Sequence, residues 1–373
     1  MRTASLLAAL ACLILSACAT GFPPTQAVHR APSDGRLMPP EPVTDHVWVM
    51  RQPDRLWAVV IGNVVIIEQS DGVVLVDSGG SIADGRDVVA GVAAVTKKPI
   101  KAIAITHWHN DHPLGVAGIL QSFPSARIIS TAVTRDYIRT ETRVGIGKPD
   151  AELDEKRRQR GEQAAADFAR EAARVDSPAS LRAEYAIESA WTLQRVERLL
   201  GAYAVLPTEV VDDRLLLDDA LAPVELRFFG LANTHGDLMA WLPRQKIVAT
   251  GDAVVAPTPY GFDVSVKPWL DVLRRVDSLP FDILIPGHGK VQRDRAYLRT
   301  LEWSMKDIVD RATAAAAAGL TKDDAFTRFN QQEQQMRFGA KDPWFRKWFN
   351  DYWLEGMFGT AYDEAKGIAA PGK

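Results

Sequence analysis

Thr106-His107-Trp108-His109-Asn110-Asp111-His112 puts three imidazoles and a carboxylate within six residues, directly after the apolar run Ala102 to Thr106. A helix is expected near Pro113, since proline suits a first helical turn. The stretch therefore sits on a strand-to-helix turn, where the end of a strand gives the side chains a rigid base. Zn²⁺ accepts nitrogen and oxygen donors, and this set suits it. Alternate residues of an extended turn point the same way, so His107 and His109 can share one metal while Asp111 and His112 serve a neighbour.

Two further histidines stand at similar junctions: His235 in Thr234-His235-Gly236-Asp237 and His288 in Pro286-Gly287-His288-Gly289. Flanking glycines let the backbone turn tightly enough to bring an imidazole inward. Asp252, in Thr250-Gly251-Asp252, follows the expected strand Lys246 to Thr250 and is a seventh candidate ligand. The chain has 7 histidines, of which only His29 and His46 lie outside these motifs. Asp237 and the hydroxyls of Thr234 and Thr106 are open to two readings, as supports of the imidazole tautomers or as local turn and capping residues.

The His-x-His-x-Asp-His motif, followed in order by His-Gly, Gly-Asp and Pro-Gly-His-Gly, resembles the metallo-β-lactamase superfamily over Val47 to Gln292, apart from an insertion. The resemblance implies an αββα sandwich with two Zn²⁺ ions at one edge, other divalent metals being compatible. It further implies that His107, His109 and His235 hold the first ion, that Asp111, His112 and His288 hold the second, and that Asp252 bridges. A water between two ions about 3.5–4 Å apart can be acidified towards neutrality. The implied reaction is attack of that hydroxide on an ester, lactone or amide carbonyl, with Asp111 orienting the nucleophile as well as ligating. An aspartate at 252 resembles the glyoxalase II, lactonase and phosphodiesterase branches, whereas family members that hydrolyse β-lactams commonly carry cysteine or serine there. β-Lactam hydrolysis stays as an alternative, and a non-catalytic metal-binding envelope protein as another. No flavin or rhodanese module is visible that would suggest redox use of the same ligands.

Around the motif, short β-branched runs alternate with turns. Strands are expected at Val47 to Met50, Leu56 to Ile61, Val64 to Glu68, Val73 to Asp77, Ala102 to Thr106 and Arg127 to Ser130. A second set follows at Val210 to Leu217, Val224 to Phe229, Leu238 to Leu242, Lys246 to Thr250 and Asp282 to Ile285. Helices are expected over Ile82 to Thr96 and Lys267 to Asp277. Two β-rich halves with helices outside predict a four-layer α/β sandwich over residues 44–292. Between the halves, 150–203 is rich in Ala, Glu, Arg and Gln, and Asp176-Ser177-Pro178 divides it into a helical hairpin. Phe168 and Val175 mark one apolar stripe, and Leu193, Val196, Leu200 and Tyr203 another. The hairpin reads equally as a lid or as a solvated appendage. Residues 293–373 form a helical extension, where Trp344, Phe345, Trp348, Phe349, Tyr352 and Trp353 make an aromatic face suited to a core, with a cleft wall or dimer contact as the other reading.

The 373-residue chain has 47% apolar residues, 24% charged residues and a formal net charge of -3. That balance suits a soluble globular body acting on a small molecule, and offers no basic surface for nucleic acid. Residues 1–17 read as a signal peptide, with Arg2 before the apolar Leu6 to Leu15. Leu15-Ser16-Ala17-Cys18 resembles a bacterial lipobox, so Cys18 is expected to be the acylated first residue of the mature protein. That places the protein at the periplasmic face of the cell envelope, with Ala19 consistent with the outer membrane. The Pro-rich stretch 18–43 is expected to be a tether. Cys12 is lost with the signal, leaving no disulfide within the body.

Overall fold

The computed structural model describes residues 36–53, 60–262 and 264–368. The signal peptide, Cys18, His29 and most of the expected strand Leu56 to Ile61 lie outside them. Six strands open the first sheet: β1 (Glu41–Thr44), β2 (Val47–Met50), β3 (Val64–Glu68), β4 (Val73–Val76), β5 (Ile100–Ala104) and β6 (Arg127–Ser130). A two-stranded ribbon joins β7 (Gly145–Ile146) to β8 (Tyr203–Ala204), and β9 (Glu209–Val210) completes the first sheet beside β6. The second sheet runs β10 (Arg214–Leu217), β11 (Val224–Phe228), β12 (Leu238–Leu242), β13 (Ile247–Ala249) and β14 (Ile283–Ile285), antiparallel except for the parallel pair β13 and β14.

The sheets meet face to face. Val47, Val65, Val74 and Ala104 of the first pack with Leu226, Ala240, Ile247 and Ile285 of the second. Alternate residues of the same strands point the other way. Ile66, Leu75 and Ile103 pack beneath α1 (Ile82–Val95) and α2 (Val116–Leu120), with α3 (Ala132–Glu141) contributing Ile138. On the far side, Trp241, Val248 and Leu284 pack against α6 (Val266–Asp277) and α7 (Ala296–Ala317), between which and α3 the chain also forms α4 (Ala151–Ala173) and α5 (Ala179–Leu199). Period-two burial on both faces is what a strand needs when helices cover it and a second sheet lies beneath. The four-layer expectation therefore holds.

Several boundaries differ for identifiable reasons. The tether expected to residue 43 ends earlier, because Glu41 to Thr44 pair with β2. The single strand expected over Val210 to Leu217 is two strands in different sheets, divided at the exposed pair Asp212-Asp213. Strand β5 stops at Ala104 rather than Thr106, since the Thr106 amide donates to the Asp77 carboxylate at 2.8 Å instead of to a neighbouring strand. Gly62-Asn63 leads into β3, and Asn63 binds the His288 loop.

The 150–203 insertion is a helical hairpin as expected. Asp150 caps α4 by accepting from the amides of Glu152 and Leu153. Its expected stripes are incomplete: Val196 is buried, but Val175 is 89% exposed and Leu193 44% exposed. The extension continues through α8 (Lys322–Arg328), α9 (Gln331–Arg337), α10 (Pro343–Phe349) and α11 (Glu355–Ala365). Phe345, Phe349 and Trp353 join the core under the second sheet, as the majority reading of that face expected. Trp344 and Trp348 instead cover the hairpin, with Trp344 edge-on to Tyr185 at 5.2 Å. No described helix is long and apolar enough to cross a membrane.

Candidate metal centre

The histidine turn follows the C-terminal end of β5, an interior strand of the first sheet. His107 and His112 are fully buried. His107 Nε2 lies 2.9 Å from His109 Nδ1 and 3.6 Å from Asp252 Oδ2. His112 Nε2 lies 3.4 Å from Asp111 Oδ2 and 3.3 Å from Asp252 Oδ1. His288 arrives from the loop after β14, its Nε2 3.0 Å from Asp111 Oδ2 and 3.5 Å from Asp252 Oδ1. Two groups of potential ligands result, His107 with His112 and Asp252, and Asp111 with His112 and His288, each with its donor atoms within 4.8 Å of one another. Five of the seven expected ligands fall in these groups, and His109 stands beside them through its 2.9 Å approach to His107. His235 belongs to neither group; its Nδ1 lies 3.5 Å from the Tyr137 hydroxyl.

Sequence reading missed Asp77. It directly follows β4, at φ 63, and is buried at 1% exposure. Its carboxylate accepts from the Thr106 amide and hydroxyl and from His112 Nδ1, the last at 2.8 Å. With Nδ1 protonated, His112 presents the Nε2 lone pair to the site. The Thr106 hydroxyl donates to Asp77 and so accepts from His107 Nδ1 at 3.0 Å, which fixes the same tautomer there. Of the two readings of Thr106, support of the imidazole is therefore the observed one. Asp237 accepts from the Thr234 amide and hydroxyl and closes a local turn. Burial pushes its carboxyl up to about 7, against those hydrogen bonds.

Asn63 is the second residue missed. Its side-chain amide donates to the carbonyls of Pro286 and Gly289, and its backbone amide donates to Gly287, gripping the His288 loop from both sides. Gly62 beside it is required by close approach: a Cβ there would stand 2.5 Å from the His112 ring. The only signal for either was a polar residue or a glycine at the end of an apolar strand, which a turn explains equally well.

The donor set fits metal ions. His112 Nε2 and Asp252 Oδ1 are buried without hydrogen-bond partners, a costly arrangement unless something positive lies between them. Burial alone would lower the His112 pKa, but Asp111, Asp252 and Asp77 raise it well above the usual imidazole value. Burial, reinforced by His112, holds His107 well below that value. Asp111 resists the upward push of burial because His112 and His288 hold it well below the usual carboxylate range.

An aromatic wall flanks the centre. Trp108 is edge-on to His109 at 4.5 Å, and Tyr260 is edge-on to the same ring at 5.9 Å. Tyr352 stacks on Tyr260 at 5.9 Å, so one residue of the C-terminal aromatic face does reach the cleft side. A cavity of 400 Å³ extends from Asn110 and Asp111 to the hairpin.

Residues 57–288 match the family model of the metallo-beta-lactamase superfamily. The chain belongs to that superfamily. Among relatives, this metallo-beta-lactamase superfamily member is 22% identical over 281 residues to a linear primary-alkylsulfatase of Pseudomonas sp. (strain ATCC 19151), covering 69% of this chain and 48% of the relative. Its fold is similar to that of a stereoselective inverting sec-alkylsulfatase, Pisa1, from Pseudomonas sp., with a TM-score of 0.62, 18% identity, and coverage of 87% of this chain and 50% of the other. A metallo-beta-lactamase from Pontibacter korlensis matches with a TM-score of 0.48 and 17% identity, covering 73% of this chain and 99% of the other. The chain spans about half the length of the alkylsulfatases it matches.

Proposed function

We propose that this chain is a dinuclear zinc hydrolase of small-molecule esters, with lactones and amides as related substrates. The observation that carries the reading is the pair of ligand groups joined at His112, with one carboxylate, Asp252, within 3.6 Å of His107, His112 and His288. Metal ions held there would supply Lewis acidity and an acidified water at neutral pH.

The chain's own residues supply the rest. Asp77 and Thr106 fix the imidazole tautomers, so donor nitrogens need no rearrangement during turnover. Asp111 borders the cavity as an anion that accepts hydrogen bonds only, and is suited to hold the proton side of an attacking water. Trp108 and Tyr260 offer an apolar wall for the part of the substrate that does not react.

A sulfate ester is the second reading, supported by the likeness to alkylsulfatases and by arginines facing the cavity. Export with a lipid on Cys18, at the periplasmic face of the envelope, is part of the same proposal and rests on residues 1–18 of the sequence. The test is turnover of the metal-loaded chain against carboxylic esters, lactones, thioesters, sulfate esters, phosphodiesters and β-lactams. Zinc-dependent ester hydrolysis is expected. Full metal occupancy with no turnover of any class would leave a metal-binding protein and overturn the hydrolase reading.

A further inference from the structure

The cavity beside Asp111 has one wall made by the hairpin, and that wall is basic. Arg157, Arg160, Arg195 and Arg198 line it, against Asp84 and Asp111. Two of the arginines are committed to structure. Arg157 donates to Asp154 at 2.7 Å and to the Arg143 carbonyl at 2.8 Å, fastening α4 to the body. Arg198 pairs with the buried Asp84, at the first turn of α1. Arg160 and Arg195 have no hydrogen-bond or ion-pair partner among the described residues. Both are exposed, whereas the Asp111 side chain is only 17% exposed.

The two positive charges are placed by the packing of the helices. Gly161 lets α4 and α5 approach closely, since a Cβ there would meet Val196 Cγ2 at 2.1 Å. The neighbouring positions 160 and 195 are thereby brought to the same cavity. Arg160 is also near enough to Arg157 to add its repulsion to the burial that lowers the Arg157 pKa. The rest of the lining includes the apolar side chains of Ile61, Trp191 and Leu199 beside Ser81, Thr192 and Gln194. A volume of 400 Å³ holds more than a reacting group alone, falling in the range of small-molecule sites.

We infer that Arg160 and Arg195 form an anion-recognition site that selects substrates carrying a carboxylate or sulfate at the end of a short apolar segment. This deepens the hydrolase reading and rests on it for the word substrate. Guanidinium groups suit both head groups, because their planar donors match two oxygens of an oxyanion at once. The hairpin is then a selecting wall of the site rather than a solvated appendage.

Calorimetric titration of the zinc-loaded chain with hexanoate, hexyl sulfate and hexanol tests the site without turnover. At least one anionic probe should bind more tightly than hexanol, and the one that binds identifies the head group. Arg160→Gln/Arg195→Gln should weaken that binding by about tenfold or more, leaving zinc content and hexanol binding unchanged. Hexanol binding as tightly as both anions, or anion binding unaltered in the double variant, would overturn the proposal. Failure of hydrolysis in the substrate panel would leave this titration fully interpretable, so the two readings fail separately.

Discussion

Asp77 accepts a hydrogen bond from His112 Nδ1 at 2.8 Å across 35 residues of sequence. The same carboxylate accepts from Thr106, whose hydroxyl in turn meets His107. One buried anion thus sets the orientation of two imidazoles belonging to both ligand groups. Asp77→Asn, which preserves shape but offers an N–H where the carboxylate oxygen accepted, should weaken zinc binding by about 10–100-fold. Competition with a chromophoric chelator measures it. Unchanged affinity would show that Asp77 serves only the fold.

Asp252 is the carboxylate nearest to both groups, and Asp252→Ala should reduce bound zinc from two equivalents to one or fewer. The five residues of the two groups already exceed what one tetrahedral ion uses. Metal analysis after exhaustive dialysis decides the matter. Retention of two equivalents would remove Asp252 from the bridging position.

Legibility in the sequence divided along physical lines. Most strands of both sheets and the clustering of candidate ligands around the histidine turn could be read because period-two burial and clustered imidazoles are local signals. Asp77 and Asn63 could not, since their roles depend on partners 35 and more than 220 residues away. Arg160 and Arg195 carried no signal of their own within two charge-rich helices. The helical pattern located the hairpin but not the surface it would face. The C-terminal aromatic face was read as core or as a cleft wall, and its residues divide between core, hairpin contact and Tyr352 beside Tyr260.

The hairpin can be perturbed without removing it. Deleting 150–203 would uncover Trp344 and Trp348, which pack against Tyr185, so a point substitution is the cleaner test. Gly161→Val should force α4 and α5 apart at Val196 and raise KM for the preferred substrate several-fold, with zinc content unchanged. The KM effect should exceed the kcat effect, because lost substrate contacts act on binding. Equal kinetics would return the hairpin to a surface role.

A pH-dependent tie joins the two sheets. Burial works against ionisation of Asp219, yet hydrogen bonds from Ser70, Leu221 and Ala222 hold its carboxyl well below the usual range. A depressed folded-state pKa contributes stability that is present above the unfolded value, near ~4, and is lost as pH falls through the folded value. Asp219→Asn should therefore lower Tm at pH 7, and the gap to the parent should narrow progressively below about pH 4. A gap that is constant or widens on acidification would contradict the assignment.

Asp111 should matter more to rate than to stability. It borders the cavity, its Oδ2 lies 3.0 Å from His288 Nε2, and as an anion it can orient a water that a neutral amide would hold in either sense. Asp111→Asn should lower kcat by about 100-fold or more while moving Tm little, provided both variants are assayed at equal zinc occupancy. No cysteine lies between Cys18 and the C-terminus, and among the described residues the threonine hydroxyl that meets a histidine ring of the cluster, Thr106, meets the candidate ligand His107. Water should then be the direct nucleophile. In ¹⁸O-water under single-turnover conditions a carboxylic ester should place one label in the acid, and a sulfate ester should place it in the sulfate or the alcohol according to which bond breaks. A trapped covalent enzyme intermediate, or full activity after metal removal, would exclude direct attack by a water that Asp111 orients.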